Sequence, residues 1–134
     1  MSETFEEFLA RREKASNDYI RGDAGEFMKI ATQQEPATFM PPSGALFEGV
    51  ADTAKAHLDG AQMFGSGSTG RFQILQSGAS GELGYWTGLQ HANVELKGNE
   101  RHVAMVLRTT EIFRKEGGAW RLVHRHADML KMPD

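Results

Sequence analysis

Hydrophobic residues recur at two spacings along the chain, a helical spacing in the first half and a strand-like spacing in the second. In the first segment, the apolar positions fall about three to four residues apart, as on one face of a helix: Phe5, Phe8, Leu9, Ala15 and Tyr19. Thr4, followed three residues later by Glu7, is typical of the capping box that begins a helix. We therefore expect a long first helix that ends near Ile20.

Two shorter helices are predicted before the strands begin. Asp23 and Glu26 form a second capping signal, ahead of the apolar pair Phe27 and Ile30. The stretch "VADTAKAHLDGAQMF" predicts a third helix with these residues roughly on one side: Val50, Ala54, Leu58 and Met63. On that helix, His57 is expected to be exposed to solvent. Between the two helices, a segment rich in Pro and Gly predicts short strands near Phe39 and Leu46.

The second half of the chain reads as four consecutive strands: "RFQILQSG", "ELGYWTGLQHANVEL", "HVAMVLRTTEIFRKE" and "AWRLVHRHADML". They are separated by turn-like segments at Gly78–Gly81, Lys97–Glu100 and Gly117–Gly118. Helices followed by a strand meander predict an α+β fold with an antiparallel sheet. The stretch "HVAMVL" is apolar at consecutive positions, so both of its faces should be covered. Because the helices cover only one face, this pattern predicts a homodimer.

Composition narrows the function classes. The chain has 134 residues, which suits a single domain over residues 1–134, with 40% apolar and 25% charged residues as in soluble globular proteins. A net charge of −3 argues against nucleic acid as a partner. The absence of cysteine excludes disulfides and thiol chemistry. No apolar run predicts a signal peptide or a membrane span, so a cytoplasmic location without membrane contact is expected.

A formal G-x-G-x-x-G match at Gly65, Gly67 and Gly70 does not predict nucleotide binding. That motif requires a preceding strand and a following helix, so that the helix N-terminus faces the pyrophosphate. Here a predicted helix precedes the glycines and a predicted strand follows them.

The order of segments carries a family resemblance. "YIRGDAGEFMKI", "ATFMPPSGALFEGVADTAKAHL" and the closing "RTTEIFRKEGGAWRLVHRHAD" together resemble the nuclear transport factor 2-like superfamily, and within it the SnoaL-like group. The resemblance covers about residues 5–130. The last strand also resembles the association domain of calcium/calmodulin-dependent protein kinase II. The resemblance implies a cone-shaped, curved antiparallel sheet that wraps around the long first helix, with two further helices and an internal pocket.

The ketosteroid isomerases of this superfamily provide a test of the chemistry. They need a tyrosine and a protonated acid as oxyanion donors, and a carboxylate base. By resemblance, the tyrosine slot falls near Ala15, the base is replaced by Pro41, and the acid slot falls near Glu111. Two of the three groups are missing, so we do not expect ketosteroid isomerase chemistry.

The stretch "WRLVHRHAD" is the main candidate for chemistry. Regular strand alternation places these residues on one face: Trp120, Leu122, His124, His126 and Asp128. If that face lines the cone, His124, His126 and Asp128 are candidate proton carriers, because histidine exchanges protons near neutral pH. Alternatively, the histidines close the pocket structurally through hydrogen bonds. A third possibility is that the His-x-His pair binds zinc together with a further ligand, Asp128, His91 or His102.

Five further residues are expected to contact a ligand: Arg108, Trp86, Tyr19, Met40 and His91. Arg108 lies in an otherwise apolar strand and needs a partner if it is buried. That partner is either a carboxylate, Glu111 or Asp128, or an anionic ligand. Flanking glycines permit a bulge, so the pattern does not decide whether Tyr85 or Trp86 faces the pocket.

The sequence thus favours a SnoaL-like protein that binds a small apolar or anionic molecule without a cofactor or a resident metal. Whether it catalyses a reaction stays open, with cofactor-independent isomerisation, cyclisation or dehydration by His/Asp chemistry as the candidate classes. The alternative is a non-catalytic dimerisation or ligand-binding module. A zinc-assisted hydrolase or lyase is a third reading.

Overall fold

The helices and strands follow the predicted order in the structure, a computed structural model that describes residues 3–98 and 101–131. The helices are α1 (Phe5–Tyr19), α2 (Gly25–Ile30) and α3 (Val50–Ala61). The strands in these residues are β1 (Thr38–Met40), β2 (Phe47–Glu48), β3 (Thr69–Ser80), β4 (Leu83–Glu95), β5 (His102–Glu116) and β6 (Ala119–Met129). The predicted α+β class is confirmed.

The strands form a curved, unclosed sheet in the order β2-β1-β6-β5-β4-β3. Neighbouring strands are antiparallel except β1 and β6, which run parallel. Helix α1 packs on the inner face of the sheet, where Phe8 and Leu9 join a buried cluster with Trp86, Phe113 and Trp120. This is the predicted cone, with the sheet wrapped around the first helix.

Helix α1 begins as predicted. The Thr4 hydroxyl accepts a hydrogen bond from the Glu7 amide at 3.0 Å, and the Glu7 carboxylate accepts one from the Thr4 amide at 3.0 Å. This capping box satisfies two amides that the first helical turn leaves unpaired. The buried stripe of the helix includes two polar side chains among its apolar ones: Phe8, Leu9, Arg12, Ala15 and Ser16.

The two shorter helices depart from the sequence prediction in detail. Helix α2 has Ala24 as its N-cap, without a side-chain cap, although the Asp23 carboxylate accepts a hydrogen bond from the Gly25 amide at 2.9 Å. The prediction that Asp23 caps this helix together with Glu26 is therefore wrong.

The apolar side predicted for α3 is not its buried side. Leu58 and Met63 are 44% and 62% exposed, while the face toward the cone carries Thr53, His57 and Ala61. The expected exposure of His57 is wrong as well, since only 5% of it is accessible. Small apolar residues occur all around this helix, so its spacing does not determine which side packs inward. The docking of α3 over a cavity decides it.

Two hairpin turns rely on glycines with positive φ. The first turn follows Ser80, slightly later than predicted, with Gly81 at φ 62°. The last uses Gly117 and Gly118 at φ 58° and 84°, a left-handed conformation that glycine adopts without strain. The turn predicted at 97–100 lies partly outside the described residues. Among the residues that are described, no helix combines the length and apolar character needed to span a membrane.

The glycine-rich loop between α3 and β3 makes room for an acidic side chain. A Cβ atom on Gly65 or Gly67 would lie 2.3 or 2.4 Å from an oxygen of the Glu95 carboxylate. The Ser68 hydroxyl also accepts a hydrogen bond from the Glu95 amide at 2.8 Å. The two glycines therefore serve close packing between the loop and β4, in a helix–loop–strand context that differs from a nucleotide-binding motif.

Candidate functional site

A cavity of about 510 Å³ lies inside the cone, between the helices and the inner face of the sheet. Its walls are mainly apolar and aromatic, with Tyr19, Phe27, Phe39, Phe47 and Phe64 among them. Polar side chains also line it, from α1, α3, β4, β6 and the loop between β1 and β2: Arg12, Ser16, His57, Gln90, Arg125 and Ser43. An apolar cavity with a few convergent polar groups is typical of a small-molecule site.

The polar end of the cavity is organised around Glu111, which is fully buried on β5. Arg12 donates from Nε to Oε1 at 3.0 Å and from Nη2 to Oε2 at 2.7 Å, a fork that matches the carboxylate. Arg125 donates from Nη1 to Oε2 at 2.7 Å, and the Trp86 indole donates to Oε1 at 2.8 Å. Four donors thus hold this one carboxylate.

The network continues from Arg125 to the first helix. Arg125 Nη2 donates to Gln90 Oε1 at 2.8 Å, and Gln90 Nε2 donates to the Ser16 hydroxyl at 2.9 Å. We call Arg12, Gln90, Glu111 and Arg125 the inner cluster. Its members come from α1, β4, β5 and β6, so the packing of the cone as a whole fixes their geometry.

The inner cluster carries one more positive charge than negative, because two arginines face one glutamate. Burial opposes ionisation of Glu111, but the nearby charges of Arg12 and Arg125 outweigh it and lower its pKa to about 2. Burial lowers the pKa of Arg12, and Glu111 counteracts this. An arginine remains charged at neutral pH even so, since its ordinary pKa is above about 12.

Arg12 has an unused hydrogen-bond donor. In the part of the chain that the structure describes, its Nη1 is the one buried side-chain nitrogen or oxygen without a hydrogen-bond partner. The guanidinium lies over the ring of Phe27, 4.7 Å from the centroid, and lines the cavity. A buried charged donor without a partner is costly, and Arg12 also lines the cavity, so this nitrogen is a candidate contact for a group bound there.

His57 and Tyr19 add two neutral polar groups to the cavity wall. The His57 ring packs against Phe39 at 4.3 Å and against Phe27 at 4.7 Å between centroids. Burial, followed by the charges of Arg125 and Arg12, lowers the pKa of His57 to about 3, so the imidazole is neutral at pH 7. Burial likewise raises the pKa of Tyr19 to about 12.

A β-bulge in β6 overturns the face predicted for the closing strand. Phe113 of β5 pairs with Leu122, but the next residue, Ile112, pairs with His124, so Val123 is an extra residue. Trp120 and Leu122 are buried inside the cone as expected. Beyond the bulge the faces exchange: Arg125 and Ala127 face inward, whereas His124, His126 and Asp128 face outward.

The outward-facing residues form three rows across β4, β5 and β6, which we call the outer face. The rows are Tyr85–Ile112–His124, Thr87–Thr110–His126 and Leu89–Arg108–Asp128. In the last row, Arg108 donates from Nε and Nη2 to the two Asp128 oxygens at 2.6 and 2.7 Å. Arg108 therefore has a carboxylate partner, one of the two that the sequence suggested, and it is 62% exposed rather than buried.

The outer histidines have modest interactions. The His124 Nδ1 atom lies 2.7 Å from the Thr38 hydroxyl, and burial, then the charge of His126, lowers the pKa of His124. His126 Nε2 lies 3.9 Å from an oxygen of Asp128. The hydrogen bonds from Arg108 lower the pKa of Asp128. We call Arg108, His126 and Asp128 the outer cluster. The roles predicted for these residues in catalysis or ligand binding stay predictions, but they do not line the cavity.

The other predicted ligand contacts have different environments. Tyr19 lines the cavity. Trp86 is fully buried in the core outside the cavity lining, and its indole donates a hydrogen bond to Glu111. Met40 lies on β1 at the position paired with His126, outside the cavity lining. His91 lies on the outer side of β4, with its Nε2 2.8 Å from Gln73 Oε1.

No metal site emerges from the described residues, where no three His, Asp or Glu side chains are arranged to hold an ion. His124 and His126, the proposed chelating pair, lie on the outer face with Thr38 and Asp128 as neighbours. The described residues therefore provide no set of three ligands for the zinc site considered from the sequence.

The sequence prediction missed Arg12, Gln90, Arg125 and His57. Arg12 carried a usable signal, since it lies four residues after Phe8 and three before Ala15, on the apolar stripe of α1. A charge on a buried stripe requires a buried partner or a ligand. Arg125 carried no such signal, because its inward orientation depends on the bulge at Val123.

Comparisons with known proteins agree with this fold. The family model for the SnoaL-like domain matches residues 12–131. No curated protein sequence matches the chain significantly.

Several solved structures share the fold at low sequence identity. A nuclear transport factor 2-like superfamily protein from Salmonella enterica aligns with a TM-score of 0.76 and 15% identity, over 94% of this chain and 88% of that one. A proposed dehydratase of the same family from Streptomyces avermitilis gives 0.72 and 14%, over 93% and 94%. The CaMKII hub of S. rosetta gives 0.68 and 16%, over 92% and 94%. At these identities, the likeness shows the fold alone.

Proposed function

We propose that this chain, which belongs to the SnoaL-like domain family, binds a small organic anion in its cone. The ligand we infer has a carboxylate that meets the inner cluster and an apolar body that fills the aromatic part of the cavity. The single observation that carries this proposal is the buried, unpartnered Nη1 of Arg12 beside the cavity. A carboxylate there would accept that hydrogen bond and balance the excess positive charge.

The charge balance favours a monoanion over a neutral molecule or a dianion. Two arginines and one glutamate leave one positive charge uncompensated, and His57 and Tyr19 are neutral at pH 7. A neutral ligand leaves the donor unsatisfied, whereas a second negative charge would enter an apolar cavity without a partner.

The geometry supports ligand binding in the cone but not catalysis there by His124, His126 and Asp128. His124, His126 and Asp128 lie on the outer face, so an isomerase, cyclase or dehydratase built on them would need a substrate outside the cone. Ketosteroid isomerase chemistry also lacks support, because Glu111, in the slot of the protonated acid, has a lowered pKa.

Calorimetric titration with octanoate tests the proposal, because octanoate combines a carboxylate with an apolar chain. We expect octanoate to bind, and 1-octanol and octylammonium, which share its chain, to bind at least about tenfold more weakly. This comparison changes only the ligand and does not depend on a variant that folds. Equal affinity for octanoate and octanol would contradict the anion site.

A matched pair of arginine variants then locates the binding. Arg12→Lys keeps the charge but loses the fork, so it should weaken octanoate binding by about tenfold. Arg108→Lys makes the same change on the outer face and should leave the affinity unchanged. Circular dichroism of both variants verifies that they are folded. Equal losses in the two variants would place the ligand outside the cone.

As a second candidate function, we infer that the outer face associates with a second copy of the chain. The row of Tyr85 and Ile112 exposes apolar surface at the middle of the sheet, where these side chains are 39% and 38% exposed. The consecutive apolar residues at the start of β5 predict a cover on that side as well. One structural relative is named as a hub, which supports association as a use of this fold.

Light scattering after size exclusion tests the association. We expect a dimer for the natural chain and a monomer for Ile112→Glu, which places a charge in the apolar row. Leu58→Glu is the control, because Leu58 is exposed on α3, away from the outer face. A monomer at all concentrations in the natural chain would exclude this use of the outer face.

We also propose that residues 1–134 act as one domain in the cytoplasm, which fractionation of cells that express the tagged protein would test.

A further inference from the structure

His57 is a buried polar group with an unused capacity for hydrogen bonds. In residues 3–98 and 101–131, neither nitrogen of its ring has a hydrogen-bond partner, and the ring packs against Phe27 and Phe39. Unlike Arg12 Nη1, these nitrogens are not fully inaccessible, and His57 lines the cavity. A phenylalanine would pack in this position without leaving polar atoms unsatisfied. Packing alone therefore does not explain why this position carries a histidine.

The same wall of the cavity supports His57 and the arginine of the proposed anion site. Phe27 contacts the His57 ring on one side, and the Arg12 guanidinium lies 4.7 Å from the centroid of that phenylalanine. Both side chains line the cavity. An anion bound at Arg12 therefore lies within the electrostatic range of the imidazole, in a low-dielectric environment where charges interact strongly.

The charged and titratable groups that face His57 come from three elements. Helix α1 contributes Arg12 and Tyr19, β5 contributes Glu111 and β6 contributes Arg125, while α2 and β1 present phenylalanines. In the free protein, the two arginines disfavour a positive imidazole, and burial disfavours it more. Glu111 favours it but is already shared by both arginines.

We propose that His57 takes up a proton when an organic anion binds in the cone, so that ligand affinity depends on pH. The inference rests on the proposed anion site and adds its regulation. The anion would compensate the arginine charges and offer an acceptor to the imidazole N–H, and both effects stabilise the protonated ring. A neutral ring in the free cone would become a second cationic anchor in the loaded one.

The direction of the pH dependence follows from linkage. Because the complex would hold more protons than its separated components, lower pH favours binding. Octanoate is a suitable probe above about pH 5.5, where a carboxylic acid with a pKa of about 4–5 is largely ionised. We expect its affinity to be at least about threefold higher at pH 5.5 than at pH 7.5.

The direct test follows the His57 ring by NMR in protein labelled with ¹³C-histidine. The chain contains five histidines, and the signal missing from His57→Phe identifies the ring of interest. Without octanoate, that ring should stay neutral down to pH 5.5. With saturating octanoate, its titration midpoint should rise to about 5.8 or higher, because a threefold gain in affinity between pH 7.5 and 5.5 requires roughly two thirds of the bound rings to be protonated at pH 5.5. His126→Phe, a matched change in the outer cluster, should leave this behaviour intact.

Calorimetry separates the outcomes. If octanoate binds but the His57 signal does not move and His57→Phe keeps the same pH dependence of affinity, this inference is overturned and the anion site stands. If octanoate fails to bind the natural chain at every pH, the anion site fails and the inference fails with it. A pH dependence that His57→Phe removes, together with the shifted titration, supports both.

Discussion

The two faces of the sheet use the same chemistry in different surroundings. The inner cluster pairs Arg12 and Arg125 with Glu111 in the core, and the outer cluster pairs Arg108 with Asp128 in contact with solvent. Both pairs include a two-bond fork between a guanidinium and a carboxylate, with donor–acceptor distances between 2.6 and 3.0 Å.

The two clusters differ in whether water can solvate a charged side chain that has lost its partner. At the outer face, water solvates either partner if the other is lost, so the pair contributes little to stability. In the core, the loss of a partner leaves a charge without solvation, and the same geometry becomes essential. Short distances alone therefore do not identify the functional arginine; burial and an unused donor do.

Removal of the carboxylate from each cluster should give the largest contrast. Glu111→Ala leaves the buried Arg12 and the partly buried Arg125 without their counter-charge and should lower the free energy of unfolding by about 3–5 kcal/mol. Asp128→Ala should leave the urea midpoint unchanged. Urea denaturation followed by circular dichroism measures both. Both are measured at a concentration where the chain is monomeric, and a similar loss in the two variants would contradict the contact of the outer cluster with solvent.

The bulge at Val123 can be tested by a charge on either side of it. Leu122→Asp places a carboxylate in the core and should cost roughly 3 kcal/mol or more. His124→Asp places it on the outer face and should cost far less, although the contact with Thr38 is lost. Regular alternation would put both residues on one face, so equal destabilisation in the same denaturation experiment would contradict the bulge.

The buried histidine should make stability depend on pH. Below the ordinary histidine pKa of 6.5, His57 is protonated in the unfolded chain. In the folded chain it stays neutral until the pH falls to its lowered pKa of about 3. The free energy of unfolding is therefore unaffected by this group above pH 6.5. It decreases as the pH falls below 6.5, by up to roughly 1.4 kcal/mol per pH unit.

Between pH 6.5 and 5, His57→Phe should remove up to about 2 kcal/mol of this loss, as measured by urea denaturation at each pH. His126→Phe provides the outer-face control and should retain the pH dependence of the natural chain. A His57→Phe curve with unchanged slope would show that His57 is not held neutral.

Conservative arginine changes should give the smallest contrast. Arg125→Lys retains the charge but cannot reach Glu111 and Gln90 together, so a loss of about 1 kcal/mol is expected. Arg108→Lys should leave the thermal midpoint unchanged. Differential scanning calorimetry measures the thermal midpoints of both variants. An unchanged midpoint for Arg125→Lys would mean that the two guanidinium hydrogen bonds of Arg125 are not needed for stability.

The sequence was sufficient for the order of elements because that information is local. Hydrophobic spacing, the capping box at Thr4 and Glu7, and the glycine turns depend on residues close together in the chain, and most of these expectations are confirmed. The resemblance to SnoaL-like proteins extended this to the cone and agrees with the family match over residues 12–131.

The orientation of side chains was beyond the sequence wherever a single-residue irregularity or a docking angle decided it. One extra residue at Val123 moved His124, His126 and Asp128 to the outer face and brought Arg125 into the cone. A helix with small residues on every side turned His57 inward. Neither event has a local sequence signature, because both depend on how the strand or helix packs against the rest of the fold.

The chain by itself therefore determined the family, the fold class and the presence of a charged residue, Arg12, on a buried stripe. Only the tertiary structure decided which charges meet. Hydrogen bonds of the inner cluster join α1 to strand residues 99 positions away, from Arg12 to Glu111, and 74 positions away, from Ser16 to Gln90. The stability of such a cluster comes from desolvation, which is a property of the enclosed volume rather than of any segment.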